Sequence, residues 1–120
     1  SLSMQYTIQI FETVEGFAAR SDSVHQDAYW TSTMAYLAAL KEAGVFITGA
    51  GLQPPATATT LRRANGELTV HDGPIAETHE MLGGFFVVDV PDLDSALQWA
   101  SLFPDHHGVA VEVRPNLPNE

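Results

Sequence analysis

Met81-Leu82-Gly83-Gly84-Phe85-Phe86-Val87-Val88-Asp89-Val90 is the stretch on which the fold turns. From 82 to 88 it is apolar without alternation, the pattern of a strand buried on both faces. Downstream, Pro91-Asp92 opens a helix, with Asp92 as cap and Leu93, Ala96, Leu97, Ala100 and Phe103 on one stripe; Pro104 ends it. Residues 109–113 then alternate, with Glu112 opposite three valines, and Pro115 terminates that strand. Upstream, Asp72-Gly73-Pro74 is a turn, and Asn65-Gly66 between 57–63 and 67–71 predicts a hairpin. Gln53-Pro54-Pro55 is a stiff connection that fits neither a sheet nor a helix interior.

Further toward the start, residues 5–11 place Tyr6, Ile8 and Ile10 on one face and Gln5, Thr7 and Gln9 on the other, as a strand does. Residues 12–20 hold a glycine and mixed polarity and read as a loop. Ser21, Asp22 and Ser23 offer capping oxygens for a helix reaching about Ala43, where Gly44 stops it. Trp30, Met34, Leu37 and Leu40 recur at helical spacing and are expected to form its buried stripe. Residues 45–48 make a short strand that ends at Gly49-Ala50-Gly51. The order is β-α-β, a hairpin, then β-α-β. Two such units in one short chain predict an α+β, ferredoxin-like βαβ(ββ)βαβ fold with the hairpin inserted between them. Right-handed crossovers place both helices on one face of the sheet. Phe85, Val87 or their neighbours on the other face are then expected to form an exposed apolar patch, and a homodimer stacked sheet to sheet is the simplest closure.

The chain has 120 residues, 45% of them apolar, which suits one folded domain over 4–115. Ser1 to Ser3, ahead of Met4, read as a cloning remnant, and 116–120 as a tail. A formal charge of −10 argues against nucleic acid and against a polybasic membrane contact. Charged residues at 17% fall below the roughly 25% of an ordinary soluble domain, consistent with surface hidden in an oligomer. With no cysteine, disulfides, thiolate metal sites and cysteine nucleophiles are excluded. No apolar run approaches the roughly 20 residues of a membrane span, and the expected setting is cytoplasmic.

Three motifs carry a resemblance: Gly51-Leu52-Gln53-Pro54-Pro55-Ala56-Thr57-Ala58-Thr59-Thr60, Asp72-Gly73-Pro74-Ile75-Ala76-Glu77-Thr78 and Leu82-Gly83-Gly84-Phe85. Asp89-Val90-Pro91-Asp92-Leu93-Asp94 and Val111-Glu112-Val113-Arg114-Pro115 continue it in order. Together they resemble the YCII-related family, and within it the DGPF branch. Ile75 stands where that motif usually has Phe, and His79 where Lys is common. The resemblance implies a ferredoxin-like fold in a dimeric α/β-barrel-type assembly. Some relatives in the branch are encoded beside sigma factors, implying a regulatory role; other YCII-like proteins are small enzymes, including a dehydrochlorinase of chlorinated hydroxyhydroquinones. That group is associated with a His near the first helix and an Asp after the second. His25 matches the first position, but Pro104 directly follows Phe103 and Asp105 lies beyond it.

Candidate site residues follow, each with a plainer account beside it. His25 at a helix start is a general-base candidate or simply a capping residue. Asp72 and Glu77 are a carboxylate pair for acid–base work if their pKa values are driven apart; otherwise Asp72 caps its turn. Gln9 and Glu112 alternate away from the apolar faces of their strands and are expected to bind ligand in a cavity between sheet faces. His71, Glu77, His79 and Glu80, like Asp105-His106-His107, match no metal spacing and read as solvated stretches. Trp30 and Trp99 are packing or dimer contacts. The expected function is a homodimer with a small-molecule pocket, lyase-like or acid–base and without a cofactor. The alternative is a non-catalytic regulatory or ligand-binding module working with a sigma-factor system.

Overall fold

A computed structural model describes residues 4–118. Residues 1–3 and the last two of the tail lie outside the described residues. Four strands form the main sheet: β1 (Met4–Glu12), β2 (Phe46–Gly51), β5 (Met81–Val90) and β6 (Val109–Pro115). Their order is β2-β5-β1-β6 and every neighbour pair is antiparallel. β5 and β1 are the two central strands, each with hydrogen-bonded partners on both edges. This mixed α+β arrangement is compatible with the ferredoxin-like fold. The remaining strands, β3 (Thr59–Ala64) and β4 (Glu67–Asp72), pair only with each other.

The helices are α1 (Val14–Ala19), α2 (Gln26–Glu42) and α3 (Leu93–Ser101). The first corrects the expected loop over 12–20. Thr13 caps α1 by accepting a hydrogen bond from Gly16 N at 3.1 Å, and six residues are too few to show a helical apolar period. The cap serine-aspartate run also resolves differently. Residues 21–25 form turns, and Asp22 Oδ2 accepts from the backbone N–H groups of Val24 and His25 before α2 begins. At α3 the expectation holds, with Asp92 accepting from Ser95 N at 2.8 Å.

The core lies between the helices and one sheet face. Tyr6, Ile8 and Ile10 of β1 meet Val88 and Val90 of β5, Leu40 and Tyr36 of α2, and Ala96 and Ala100 of α3. Here the expected stripe of α2 is corrected. Tyr29, Tyr36 and Leu40 are buried, whereas Trp30 is 43% and Met34 51% exposed. The packed row contains two tyrosines because each hydroxyl finds a partner, Tyr36 at Trp99 O (2.8 Å) and Tyr29 at Glu12 (2.7 Å). Half-buried Trp99 packs against the core. The stripe of α3 narrows to Ala96 and Ala100 with Phe103 just past the helix end, while Leu93 and Leu97 remain exposed. The exposed apolar patch expected on the opposite face is corrected: within the single chain Val87 is already buried and Phe85 half-buried.

The β3–β4 hairpin stands clear of the body. Every residue from 61 to 72 is exposed, and the radius of gyration, 16.2 Å, exceeds the roughly 14 Å of a compact chain of this length. Asn65 and Gly66 both have positive φ (53° and 76°), the geometry a two-residue I′ turn requires. Replacing Gly66 with Val puts a branched side chain into the left-handed region, at a cost of about 1–3 kcal/mol. Nothing lies within 4 Å of its would-be Cβ, so that penalty is purely conformational. Amide exchange in β3 and β4 should accelerate while exchange in β1 and β5 stays unchanged. Equal protection of the hairpin in both proteins would refute the turn assignment.

Candidate functional site

Glu12 sits at the end of β1 on the same parity as Tyr6, Ile8 and Ile10, so strand geometry carries it inward. It is 1% exposed. A buried carboxylate is costly unless it is paired and hydrogen-bonded. Arg20, just past the end of α1, supplies the charge: its Nη2 lies 2.5 Å from Glu12 Oε1. The other oxygen, Oε2, accepts from Tyr29 Oη at 2.7 Å, and Arg20 Nε donates to that hydroxyl at 3.0 Å. Arg20 Nη2 also donates to Gly83 O at 3.1 Å, and Nη1 donates to Leu52 O. The guanidinium lies 4.8 Å from the ring centroid of Phe17 and 6.0 Å from that of Trp30, within cation–π range. Trp30 Nε1 donates in turn to Arg20 O at 2.8 Å.

Room for the pair comes from an irregularity in β5. The β1–β5 register shifts between Ile10, opposite Gly84, and Phe11, opposite Leu82, leaving Gly83 as the extra residue of a bulge. A Cβ on Gly83 would run into Glu12 Oε1 and sit 2.9 Å from Arg20 Nη2. The Gly83-Gly84 pair is thus a bulge that admits a side-chain ion pair.

The network closes one end of a cavity of about 230 Å³ between α2 and the sheet. Ile10, Met34, Leu37, Phe46, Phe86 and Phe103 form much of its wall, with Trp30 and Thr33 on the helix side. The row Trp30-Met34-Leu37, expected to pack as core, faces this space instead. Behind Tyr29 lies His106, 6% exposed, its ring centroid 3.9 Å from that of Tyr29 and its Nε2 2.9 Å from Thr33 Oγ1. Burial pushes the His106 pKa down, with Glu12 opposing that shift. Burial and the Glu12 contact both push the Tyr29 pKa up, so Tyr29 keeps its proton and donates to the carboxylate.

The expected site residues are not brought together in this cavity. His25 occupies the N-cap position of α2 with its side chain half exposed; its Nδ1 contacts Asp22 Oδ2, and its ring meets His107 edge-on at 4.9 Å. The carboxylate beside His25 is therefore Asp22, rather than Asp72 or Glu77. The hydrogen bond to His25 holds the Asp22 carboxyl below the usual carboxylate range. Asp72 ends β4 and Glu77 lies in the loop before β5, both exposed. Gln9 and Glu112 are paired in register across β1 and β6. Gln9 lines a shallow hollow with Thr7, Arg114, Pro115 and Asn116, away from α2, while exposed Glu112 meets Arg114 at 3.4 Å. Glu12, Arg20 and Tyr29 were missed by the sequence reading. The available signal was parity, since extending the 6-8-10 series by one step reaches Glu12.

Comparison with known proteins adds a family and one relative. A family profile described as the YCII-related domain matches residues 13–116. An uncharacterized protein of Rhizobium meliloti (strain 1021) is 49% identical over 59 residues, covering 49% of this chain and 48% of that protein. The match thus spans about half the length of the relative. Among the described residues no helix is long and apolar enough to cross a membrane.

Two tests follow from the geometry. Glu12→Ala or Arg20→Ala alone leaves a buried charge without its partner and should cost about 3–5 kcal/mol in urea unfolding. Replacing both with Leu should cost less than either single change; a double variant as unstable as the sum would contradict the pairing. The second concerns His106. Its folded pKa lies below the unfolded value of about 6.5, so the unfolded chain binds more protons in the window beneath 6.5. Stability should therefore fall as pH drops through that window, and His106→Gln should flatten the dependence. An unchanged pH profile in the variant would remove His106 as its source.

Proposed function

The chain belongs to the YCII-related family, and from that premise we propose that it is a homodimer that binds a small molecule beneath α2. The observation that carries the reading is the cavity itself: apolar and aromatic walls, one polar cluster at its end, and 230 Å³ of space. Small-ligand sites have this make-up. An engineered cavity of about 150 Å³ already accepts benzene, so a ligand of one or two rings fits the volume. Binding is favoured over catalysis because Glu12, Arg20 and Tyr29 satisfy one another, leaving no unengaged nucleophile among them. The acid–base alternative rests on Glu12, whose carboxylate oxygens keep lone pairs at the end of the cavity.

Dimerisation through the sheet face opposite the helices is part of the proposal. Two buried acceptors, Gln9 Oε1 and Asp89 Oδ1, lack hydrogen-bond partners, and both residues share strand parity with Phe85 and Val87. Buried polar atoms without partners are uncommon in finished structures. A second copy laid on this face would cover the half-buried Phe85, and a side-chain adjustment there would bring its donors to the two acceptors, which one chain alone already occludes.

The test is a thermal-shift screen of small phenolic and carboxylic compounds with sedimentation alongside. A ligand at a hundredfold excess over Kd stabilises by about 2.7 kcal/mol, a shift of several degrees. Met34→Trp should fill the cavity and abolish the shift without lowering the intrinsic Tm by a comparable amount. An undiminished shift in Met34→Trp places the ligand elsewhere. Sedimentation as a monomer at micromolar concentration would reject the dimer.

A further inference from the structure

We propose that the ligand of this cavity is uncharged: an apolar-bodied small molecule with at most a neutral hydrogen-bonding group, neither a carboxylate nor an amine. This rests on the cavity reading above and narrows it. The cavity holds one cation and one anion, and each is already engaged by the other. Arg20 gives Nη2 to Glu12 Oε1 and Gly83 O, Nη1 to Leu52 O and Nε to Tyr29 Oη. Four of its five N–H groups are therefore committed within the protein. Glu12 Oε2 is held by the Tyr29 hydroxyl. Two polar side chains of the lining remain: Trp30 Nε1 donates to Arg20 O at 2.8 Å, and Thr33 donates to Tyr29 O at 2.8 Å and meets His106 Nε2 at 2.9 Å.

A carboxylate ligand could reach full charge compensation only by drawing Arg20 away from Glu12. That would strand a carboxylate that is 1% exposed, a loss as large as breaking a buried pair. An ammonium ligand would have to share Glu12 with Arg20 and place a second cation beside the first in an apolar enclosure. The chain's charge of −10 adds long-range repulsion against anions. A neutral ligand meets neither obstacle, and its apolar body gains from burial against Phe46, Phe86 and Phe103. The same geometry sets the response to Glu12→Gln. The amide oxygen can still accept from Arg20 Nη2 while its NH2 group donates to the Tyr29 hydroxyl oxygen, but the guanidinium charge is then uncompensated and becomes available to an anion.

The experiment is calorimetric titration of the full chain with three probes of one shape: 2-naphthylmethanol, 2-naphthoate and 2-naphthylmethylamine. For the wild type the alcohol is expected to bind at least tenfold more tightly than either ion. In Glu12→Gln the preference for the alcohol over the naphthoate should shrink at least tenfold. Wild-type binding of the carboxylate or the amine as tight as the alcohol overturns the inference and leaves the cavity reading standing. A Glu12→Gln protein that folds, by its near-ultraviolet circular dichroism, yet keeps the wild-type ratio also overturns it. Should Glu12→Gln not fold, the wild-type series alone decides. Failure of all three probes to bind the wild type rejects the cavity reading and this inference with it.

Discussion

The contact between Glu12 and Arg20 organises the molecule around the cavity. Through it the end of β1, the segment after α1, the bulge of β5 and the turn after β2 are fastened to one guanidinium. Tyr29 adds α2 to the same point. Desolvating two charges is costly, and the pair is tolerable because nearly every donor and acceptor around it is satisfied. The energetic gain of such a pair over an apolar substitute is small. What it contributes here is position: α2 is anchored at its Tyr29 end, and the space beneath Trp30, Met34 and Leu37 stays open.

That anchoring explains a division of labour within α2. One row, Tyr29-Thr33-Tyr36-Leu40, meets the sheet and the segment after α3, with Tyr29 and Thr33 also reaching the cavity; the adjacent row, Trp30-Met34-Leu37, supplies the rest of its helix side. The buried row is the more polar of the two. Its hydroxyls are directed to fixed acceptors, Glu12 and Trp99 O, so they specify orientation in a way that methyl groups would not. The more apolar row faces the cavity, and it is the surface on which the proposed ligand would gain from burial.

The strands and their pairing were largely legible because period-two alternation and Asn65-Gly66 are local signals. Met81–Val90 matches its expected limits, since an unbroken apolar run bounded by polar residues and Pro91 leaves few alternatives. The site was much less legible. Glu12 looked like the start of a loop because a carboxylate on a buried face contradicts hydropathy, and only its distant partner resolves the contradiction. Arg20 carries no motif of its own; its role depends on the bulge at Gly83, a tertiary feature. Hydrophobicity ranked Trp30 and Met34 above Tyr29 and Tyr36 for burial, yet partners for two hydroxyls reversed that order. His25, Asp72 and Glu77 were selected by residue type and motif, and neither criterion carries information about which side chains meet.

Gly83 gives the ion pair a consequence for how such a sequence can change over time. Losing either charge alone is expected to remove a large share of the 5–15 kcal/mol that holds an ordinary domain together. A side chain at 83 would collide with both partners. The three positions, 12, 20 and 83, therefore form a small epistatic unit spread across the chain. A single-step path out of the arrangement passes through a poorly folded intermediate, whereas the cavity wall at Met34 or Leu37 can vary one residue at a time. On the proposed reading, ligand preference can drift within this scaffold while the polar end of the cavity stays locked.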